Sequence, residues 1–509
     1  MIPARKDENT SPDNSSGQQI AATKSLVRHG FVYGLGQIAL RLASIALLPV
    51  YTRYLTPADY GVIALVDITI GLLGMAVGGQ AASAATRQHF SERWGQQRGR
   101  VWWNGLWFVG VSDLVVLGPA IVCLGPLTSL VFGPTVARGE LWLLMGLLTL
   151  ALTSLEQMGL AYLRVEKRST TIVAISFGRF FLNIAVNLTL LNVLESGITA
   201  ILLGNLMVAL VAVLLTIGMS IWRLPFAAAD RALFETMWKF SGPLWITTLS
   251  SWVMHETGRF TLRLFADLSD VGVYGLAQQI GQGVNGLLIM PLSMIYSTIM
   301  MEVAGKPYAH WFYATVFRVF AGMLGLCMLA IAVLAPEIFS VLIGPNFQDA
   351  ARLVPLTCLA YFLFSLHTHF SIPVWVAEKT SKMIPASVMG AVTVIAANLI
   401  LVPLLGAVGA GIASILAFAT YSFGGHLLYR RVDKIDFAFG ELALLMGGGV
   451  LTFFLCAAWR DVAPSHWGFL IPALSCIAWA AFLCWRHKWL NLVALLTNRL
   501  DQSKQTSSS

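Results

Sequence analysis

Long apolar segments dominate the pattern along this chain, from about residue 29 to residue 485. Each segment has about 20 residues, the length that an α-helix needs to cross the hydrocarbon core of a bilayer. The segments do not alternate apolar and polar residues, as the strands of a membrane β-barrel do. We therefore expect an all-α polytopic membrane protein with 14 transmembrane helices, near residues 29–50, 60–83, 103–132, 141–163, 170–192, 196–222, 240–262, 271–297, 319–343, 353–376, 383–404, 409–429, 441–459 and 468–485. The third segment is long enough to include a turn at the membrane interface.

The composition is also that of a membrane protein. Of the 509 residues, 57% are hydrophobic and 11% are charged, and the mean hydropathy is +0.73. Soluble domains carry about 25% charged residues. The loops between the predicted spans are too short for a soluble catalytic domain. The first 28 residues are polar and lack the apolar core of a secretory signal, so we expect a disordered tail there.

A repeat at an offset of 211 residues relates the two halves of the chain. Asp59–Val62 in the second span recurs as Asp270–Val273 in the eighth, and Asn187 falls at the position of Asn398. Six spans per half is an even number, so both halves enter the membrane from the same side and are related by a pseudo-two-fold axis along the membrane normal. We predict a disordered tail at 1–28, an N-lobe at 29–222, a cytoplasmic linker at 223–239, a C-lobe at 240–429, two further spans at 441–485 and a cytoplasmic tail at 486–509.

The basic residues predict the orientation of the chain. Lys and Arg collect in cytoplasmic loops because their translocation is unfavourable. With the N-terminus inside, 25 of the 33 Lys and Arg residues fall on the cytoplasmic side, five fall outside and three lie within spans. Both termini are therefore expected in the cytoplasm. This distribution also explains the net charge of +8 without a nucleic-acid partner.

Two arginines within spans are the leading candidates for a binding site. An arginine at the centre of a spanning helix costs about 2.5–3.5 kcal/mol on insertion scales, so it needs a partner or a wet cavity. Arg41 shares a polar face of the first span with Gln37, and Arg259 shares one of the seventh span with His255. Arg41 could pair with Asp67 or bind an anion in a cavity. Arg259 could reach the outer interface or face that cavity, where a guanidinium suits a phosphate.

Further charged residues are candidates for ion pairs or for coupling. Arg179 lies in the fifth span, and Glu156 in the preceding span is its expected partner. Asp67, Glu156 and Glu256 could instead exchange a proton or bind a coupling cation within the membrane. His255 could titrate near physiological pH, although a hydrogen-bonded packing role is the alternative.

Amide side chains follow one face of the eighth span, at Gln278, Gln282 and Asn285. They occupy the positions that Asp67 and two glycines hold in the second span, so the polar stripe is retained without its charge. The six cysteines form no CxxC pair, and the pattern GxxxxGK[ST] is absent from the sequence. We therefore expect no metal, no cofactor and no ATP hydrolysis by this chain.

Four short motifs, in order and spacing, resemble a known family. They are Leu48–Gly61 (LPVYTRYLTPADYG), Phe240–Leu244 (FSGPL), Asp270–Tyr274 (DVGVY) and Leu342–Phe347 (LIGPNF). The chain resembles the polysaccharide-biosynthesis (oligosaccharide) flippases of the multidrug/oligosaccharidyl-lipid/polysaccharide exporter superfamily, over residues 25–430. That family often has Asp-Arg near the end of the seventh span, whereas this chain has Gly258-Arg259, which puts a coupling role for that acid in doubt.

The resemblance implies a two-lobed flippase of the bacterial inner membrane, with the first, second, seventh and eighth spans lining its cavity. It would move undecaprenyl-pyrophosphate-linked oligosaccharide across the bilayer by alternating access, for export of exopolysaccharide, capsule or O-antigen. Candidate partners are H⁺ or Na⁺ as the coupling ion and the polysaccharide polymerase and export machinery. We expect the pyrophosphate at Arg41 and Arg259, and the sugars near Gln37, Gln278, Gln282 and Asn285.

Three other functions remain open. A cation-coupled multidrug or toxic-compound extruder would share the fold, but its substrates favour acidic cavities, and arginines are prominent in these spans. A peptidoglycan lipid-precursor flippase would share the pyrophosphate site. A membrane glycosyltransferase or polymerase is the enzyme alternative, and it would need a substantial outer loop bearing acids, which the sequence lacks.

Overall fold

The fold is known from a computed structural model of the chain. It describes residues 48–487 except for gaps at 77–79, 92, 95, 134–135, 195–196, 290–295, 297–298, 302 and 463–469. Most of the predicted first span, both predicted tails, and the candidate residues Gln37 and Arg41 lie outside the described residues.

The described part of the chain is helical and contains no β-strand. The first half comprises α1 (Leu48–Tyr54), α2 (Pro57–Ala76), α3 (Ala81–His89), α4 (Arg98–Val122), α5 (Leu124–Phe132), α6 (Gly139–Val165), α7 (Ser169–Val193) and α8 (Gly197–Met219). The second half comprises α9 (Arg231–Phe265), α10 (Leu268–Val284), α11 (Ala309–Leu342), α12 (Val354–Phe370), α13 (Ile372–Val376), α14 (Ile384–Leu405), α15 (Ala407–Ala419), α16 (Gly425–Tyr429), α17 (Phe439–Val462) and α18 (Leu470–His487).

Ten helices in the described residues are long and apolar enough to cross a membrane. They correspond to the predicted spans 2–6 and 9–13, and the chain is a multi-pass integral membrane protein. The predicted seventh and eighth spans correspond to α9 and α10, and the fourteenth to a shorter apolar helix at Leu470–Phe482. The exact count of 14 therefore remains a prediction.

The third predicted segment contains the turn that its length indicates. It forms two helices, α4 and α5, which meet at Cys123. Pro119 lies in the last turn of α4, and a proline removes a hydrogen-bond donor from a helix. One segment of 30 residues thus becomes a spanning helix followed by a short helix.

The predicted cytoplasmic linker at 223–239 requires a correction, because α9 begins at Arg231 and not at residue 240. The Asp230 side chain caps this helix by accepting hydrogen bonds from the N–H groups of Ala232 and Leu233, at 2.9 and 3.4 Å. Leu233 and Met237 are fully buried in an apolar cluster with helices of the first half. The remaining linker lies along α4, where the Asn104 side chain accepts from Asp230 N–H at 2.5 Å.

We expect Asp230→Ala to lower the free energy of unfolding by about 0.5–2 kcal/mol, the usual cost of removing an N-cap. Desolvation opposes ionisation of Asp230, but the two capping N–H groups and Arg100 outweigh it and lower its pKa. A lowered pKa means that the ionised cap stabilises the fold above pH about 3.9 and that this effect is lost as the pH falls through the folded-state value. Thermal unfolding in detergent at pH 7 and pH 3 measures both effects. Asp230→Asn keeps the acceptor and serves as the control.

The repeat places two equivalent glycines in direct contact. Gly61 of α2 and Gly272 of α10 are 211 residues apart in sequence, and their helices pack together so tightly that no side chain fits between them. A Cβ atom on Gly61 would lie 2.0 Å from Leu268 O, and one on Gly272 would lie 1.9 Å from Pro57 O. Contact between equivalent positions is what a two-fold relation between the halves requires.

The last two helices are attached to the second half through α11. Arg460 of α17 forms an ion pair with Glu337 of α11, with Nη2 2.8 Å from Oε1, and also donates to Val333 O. Cys456 and Val333 are buried in the same apolar contact. These contacts place α17 and α18 on the outside of the second half, away from the α2–α10 junction.

Candidate functional site

A polar cavity of about 490 Å³ lies between the two halves of the protein. Helices α1, α2, α7 and α8 of the first half and α9 and α10 of the second half line it. The described helices of the first, second, seventh and eighth spans are thus part of the wall, as the family resemblance implies. The fifth and sixth spans also contribute to it, which the sequence analysis did not predict.

Arg259 lines this cavity and is held by two neighbours. Its side chain is 11% exposed. Its Nε donates a hydrogen bond of 2.9 Å to Gln278 Oε1, and its Nη2 lies 3.3 Å from Glu256 Oε2. The alternative in which Arg259 extends to the outer interface is therefore not the arrangement in the structure. Two of its five N–H groups face these partners, which leaves three for a ligand.

Two acids share the cavity with Arg259. Asp67 of α2 is exposed in the cavity wall, and it is close enough to Arg259 and Glu256 to interact with both electrostatically. These three residues come from both halves of the protein. They are the charged members of the described lining, so acids outnumber arginine there. The expectation of a cavity dominated by arginine does not hold for the described residues.

Arg179 and Glu156 form the ion pair that the sequence pattern indicates. Arg179 Nη1 donates to Glu156 Oε2 at 2.6 Å, and the Glu156 side chain is 1% exposed. Neither residue lines the cavity. A buried carboxylate without its partner is costly, so this arrangement fits a structural role.

The amides of the eighth span divide between two roles. Gln282 lines the cavity. Gln278 does not line it; it is 3% exposed and bridges Arg259 to the main-chain carbonyl of His255. Asn285 also lies away from the cavity and donates to Ser365 Oγ at 2.9 Å. The sugar-contacting role predicted for Gln278 and Asn285 therefore requires a correction.

Gln279 lines the cavity in place of Gln278, and sequence reasoning missed it. The offset of 211 aligned Gln278 with Asp67, but the cavity face of α10 runs through Gly275, Gln279 and Gln282. That spacing of four and three is itself helical, so the signal was present in the sequence. Choosing the correct face would have required knowing the rotation of α10.

Tyrosine and asparagine side chains of the first half complete the polar lining. Tyr51 of α1, Tyr60 of α2, Asn183 of α7 and Asn205 of α8 all face the cavity. The Tyr60 hydroxyl donates to Gln279 Oε1 across the junction between the halves. Of these four, only Asn183 was part of a polar face recognised in the sequence.

His255 lies behind the wall and not in it. Its Nδ1 is 2.7 Å from Ser251 O, and its ring packs against Tyr361, Phe364 and Phe418. This is the environment of a hydrogen-bonded packing residue. Elsewhere in the described residues, no group of three or more His, Cys, Asp and Glu side chains is arranged to hold a metal ion.

Sequence comparison now decides the family. A family profile described as "Polysaccharide biosynthesis protein" matches residues 26–300, which is more than half of the chain. The chain belongs to this polysaccharide biosynthesis protein family. Among curated protein sequences, none matches it.

Solved structures share the fold of this polysaccharide biosynthesis family member at low sequence identity. The lipid II flippase MurJ in an inward closed conformation has a TM-score of 0.71 and 11% identity, covering 89% of this chain and 99% of MurJ. An inward-facing multidrug resistance MATE family transporter of the MOP superfamily has a TM-score of 0.62 and 15% identity, covering 78% and 98%. A MOP superfamily transporter from Pyrococcus furiosus has a TM-score of 0.55 and 15% identity, covering 81% and 96%. The chain therefore has a MurJ/MATE-like transporter fold.

Proposed function

We propose that this protein is a flippase for undecaprenyl-pyrophosphate-linked oligosaccharide repeat units, which it moves across the bacterial inner membrane for export of a surface polysaccharide. The observation that carries the proposal is Arg259, held by Glu256 and Gln278 in a polar cavity between the two halves. Membership of the polysaccharide biosynthesis protein family and the MurJ-like fold support it. The family and these structural relatives are transporters or flippases, which agrees with a protein that is not an enzyme.

The cavity provides the two surfaces that such a substrate needs. The three remaining N–H groups of Arg259 bind pyrophosphate oxygens, and charge-assisted hydrogen bonds of this kind are the stronger ones. Arg41, from the first span, is the second proposed phosphate ligand. The uncharged side chains of Tyr60, Gln279 and Gln282 provide donors and acceptors for the oligosaccharide. The polyprenyl chain remains in the lipid.

Transport then follows from motion of one half against the other. The head group enters from the cytoplasmic side, where both termini are proposed to lie, and the cavity holds it while the halves rock. Opening on the far side requires separation of the tight α2–α10 contact at Gly61 and Gly272. The head group thus crosses the membrane without contacting hydrocarbon. Asp67 and Glu256 are the proposed sites for a coupling H⁺ or Na⁺.

A vesicle assay tests the function directly. The purified protein is placed in liposomes that carry undecaprenyl-pyrophosphate-linked oligosaccharide from the source organism, and the rate at which the glycan becomes accessible to an added glycosidase is measured. We expect protein-dependent movement of the glycan. In cells, deletion of the gene should make the same lipid-linked oligosaccharide accumulate on the inner leaflet. Absence of both effects would refute the proposal.

A cation-coupled multidrug extruder is the second candidate, and one observation favours it. Asp67 and Glu256 outnumber Arg259 among the charged residues of the described cavity lining, and acidic cavities suit cationic substrates. The same liposomes, loaded with a fluorescent organic cation and given a proton or sodium gradient, separate the two functions. Gradient-driven movement of the cation without movement of the glycan would favour the extruder.

A further inference from the structure

A second polar surface lines the cavity on the side of the first half. We call it the amide wall, and it consists of Tyr51 of α1, Asn183 of α7 and Asn205 of α8. Phe180 lies beside it in the lining. Arg259, in contrast, belongs to the second half. The cavity therefore has a charged side and an uncharged hydrogen-bonding side.

A buried asparagine orients the amide wall. Asn187 is 1% exposed, and its Nδ2 donates to Tyr51 Oη at 3.0 Å and to Asn183 Oδ1 at 3.1 Å. Asn183 in turn donates to Asn205 Oδ1 at 2.9 Å. Asn187 is held in place by Gly204, where an added Cβ would lie 1.9 Å from Asn187 Oδ1. The three wall residues are thus connected through one hydrogen-bonded chain.

Counting donors shows what the amide wall can bind. Each amide has two N–H donors and an oxygen with two acceptor positions, and a tyrosine hydroxyl has one O–H donor. After the contacts above, the Tyr51 O–H, one N–H of Asn183 and both N–H groups of Asn205 have no acceptor in the described part of the chain. The wall therefore offers four donors, together with free acceptor positions on its amide oxygens, and no charge.

The charges opposite this wall limit the kind of sugar that fits. A carboxylate on the glycan would lie in the same cavity as Asp67 and Glu256, and like charges in a partly desolvated site repel. Arg259 offsets one acid through its ion pair with Glu256. Hydroxyl and acetamido groups avoid this repulsion and match the mixed donors and acceptors of the wall.

We infer that the amide wall is the glycan subsite of the cavity and that it selects an uncharged sugar, bearing hydroxyl or acetamido groups, over a uronic acid. This inference rests on the proposed flippase function and adds to it the chemical class of the sugar. The lipid-linked substrate then lies across the cavity, with its pyrophosphate on Arg259 of the second half and its sugar on the first half. Asn187 is a positioning residue, because it acts through Tyr51 and Asn183.

Binding of three synthetic lipids to the detergent-solubilised full-length protein tests the inference. The lipids are undecaprenyl pyrophosphate bearing no sugar, N-acetylglucosamine, or glucuronic acid. We expect the wild type to bind the N-acetylglucosamine lipid about tenfold more tightly than the other two. Tenfold corresponds to about 1.4 kcal/mol, the net value of one or two hydrogen bonds.

Substitutions in the wall should remove this preference alone. Asn205→Ala is expected to bind the N-acetylglucosamine lipid about tenfold more weakly and the sugar-free lipid unchanged, and the second result shows that the variant is folded. Asn187→Ala should have a similar effect that Asn187→Gln does not restore. Asn192→Ala is the matched control, because Asn192 lies on the same helix outside the cavity lining and donates to Leu188 O.

The outcomes separate the subsite from the function. If Asn205→Ala binds all three lipids as the wild type does while Arg259→Ala binds none, the subsite is refuted and the function stands. If the glucuronic acid lipid binds as tightly as the N-acetylglucosamine lipid, the selectivity is refuted. If the wild type binds no undecaprenyl pyrophosphate lipid, both the subsite and the proposed function fail.

Discussion

Replacing Arg259 with alanine should reduce transport of the lipid-linked oligosaccharide by more than 100-fold. Two charge-assisted hydrogen bonds to a pyrophosphate contribute about 3–6 kcal/mol, and each 1.4 kcal/mol is a factor of ten. Arg259→Lys should recover only part of the rate, because an ammonium group cannot form the paired contacts of a guanidinium. The liposome assay measures the rate, and the amount of protein in the membrane is measured beside it.

Loss of Arg259 also leaves Glu256 without its partner, so stability must be separated from function. A carboxylate left alone in a partly buried site is destabilising. The double variant Arg259→Ala with Glu256→Gln removes both charges, and we expect it to be as inactive as the single variant but more stable. Arg231→Ala is the matched control, because Arg231 lies on the same helix and its side chain is 94% exposed. Transport by Arg259→Ala at the wild-type rate would exclude this residue from the site.

Gly61→Ala and Gly272→Ala should each hold the α2–α10 junction apart. A Cβ atom would lie about 2 Å from the carbonyl oxygen of Leu268 or Pro57, and a main-chain atom cannot move aside as a flexible side chain can. Overpacking of this kind costs about 1–3 kcal/mol. We expect a lower unfolding temperature and transport below one tenth of the wild-type rate. The two substitutions should have similar effects, because the positions are equivalent in the repeat.

Chemical labelling shows whether the junction has opened. A cysteine at Gln282 in the cavity, in a variant without the native cysteines, is treated with a maleimide reagent that does not cross membranes. With Gly61→Ala or Gly272→Ala we expect faster labelling from the side opposite the termini. Gly110→Ala and Gly178→Ala are matched controls, since no atom lies within 4 Å of their added Cβ. These controls should be neutral or slightly stabilising, because alanine is the better helix former. Unchanged labelling at all four positions would rule out the junction as a gate.

The boundary of α9 illustrates why local patterns place helices better than they place their ends. Apolarity begins near residue 240, so the sequence predicted a span from there. The helix begins at Arg231 because Asp230 caps it and because Leu233 and Met237 pack against the first half. The cap residue was visible in the sequence. The packing that makes the early start favourable was not, since its partners lie more than 60 residues away in α4 and α6.

The candidate site shows the same division at the level of single residues. Arg259 and Asp67 stood out because a charge inside an apolar segment is costly wherever that segment packs. Tyr51 and Asn205 carry no such cost and are common in membrane helices, so nothing distinguished them in the sequence. Gln278 and Gln279 are adjacent, and adjacent residues on a helix differ in direction by about 100°. The rotation of α10 against α9 decided which of them supports Arg259 and which lines the cavity.

The sequence by itself determined the helical membrane class, the two related halves and the charges that the bilayer must accommodate. Hydropathy, repetition and charge are properties of segments, and they are independent of how the segments pack. Only the tertiary structure decided that Gly61 meets Gly272, that acids outnumber arginine in the described lining, and that Asn187 joins Tyr51 to Asn183. These are contacts between helices distant in sequence, and they depend on the rotation and separation of each pair, which side-chain packing sets.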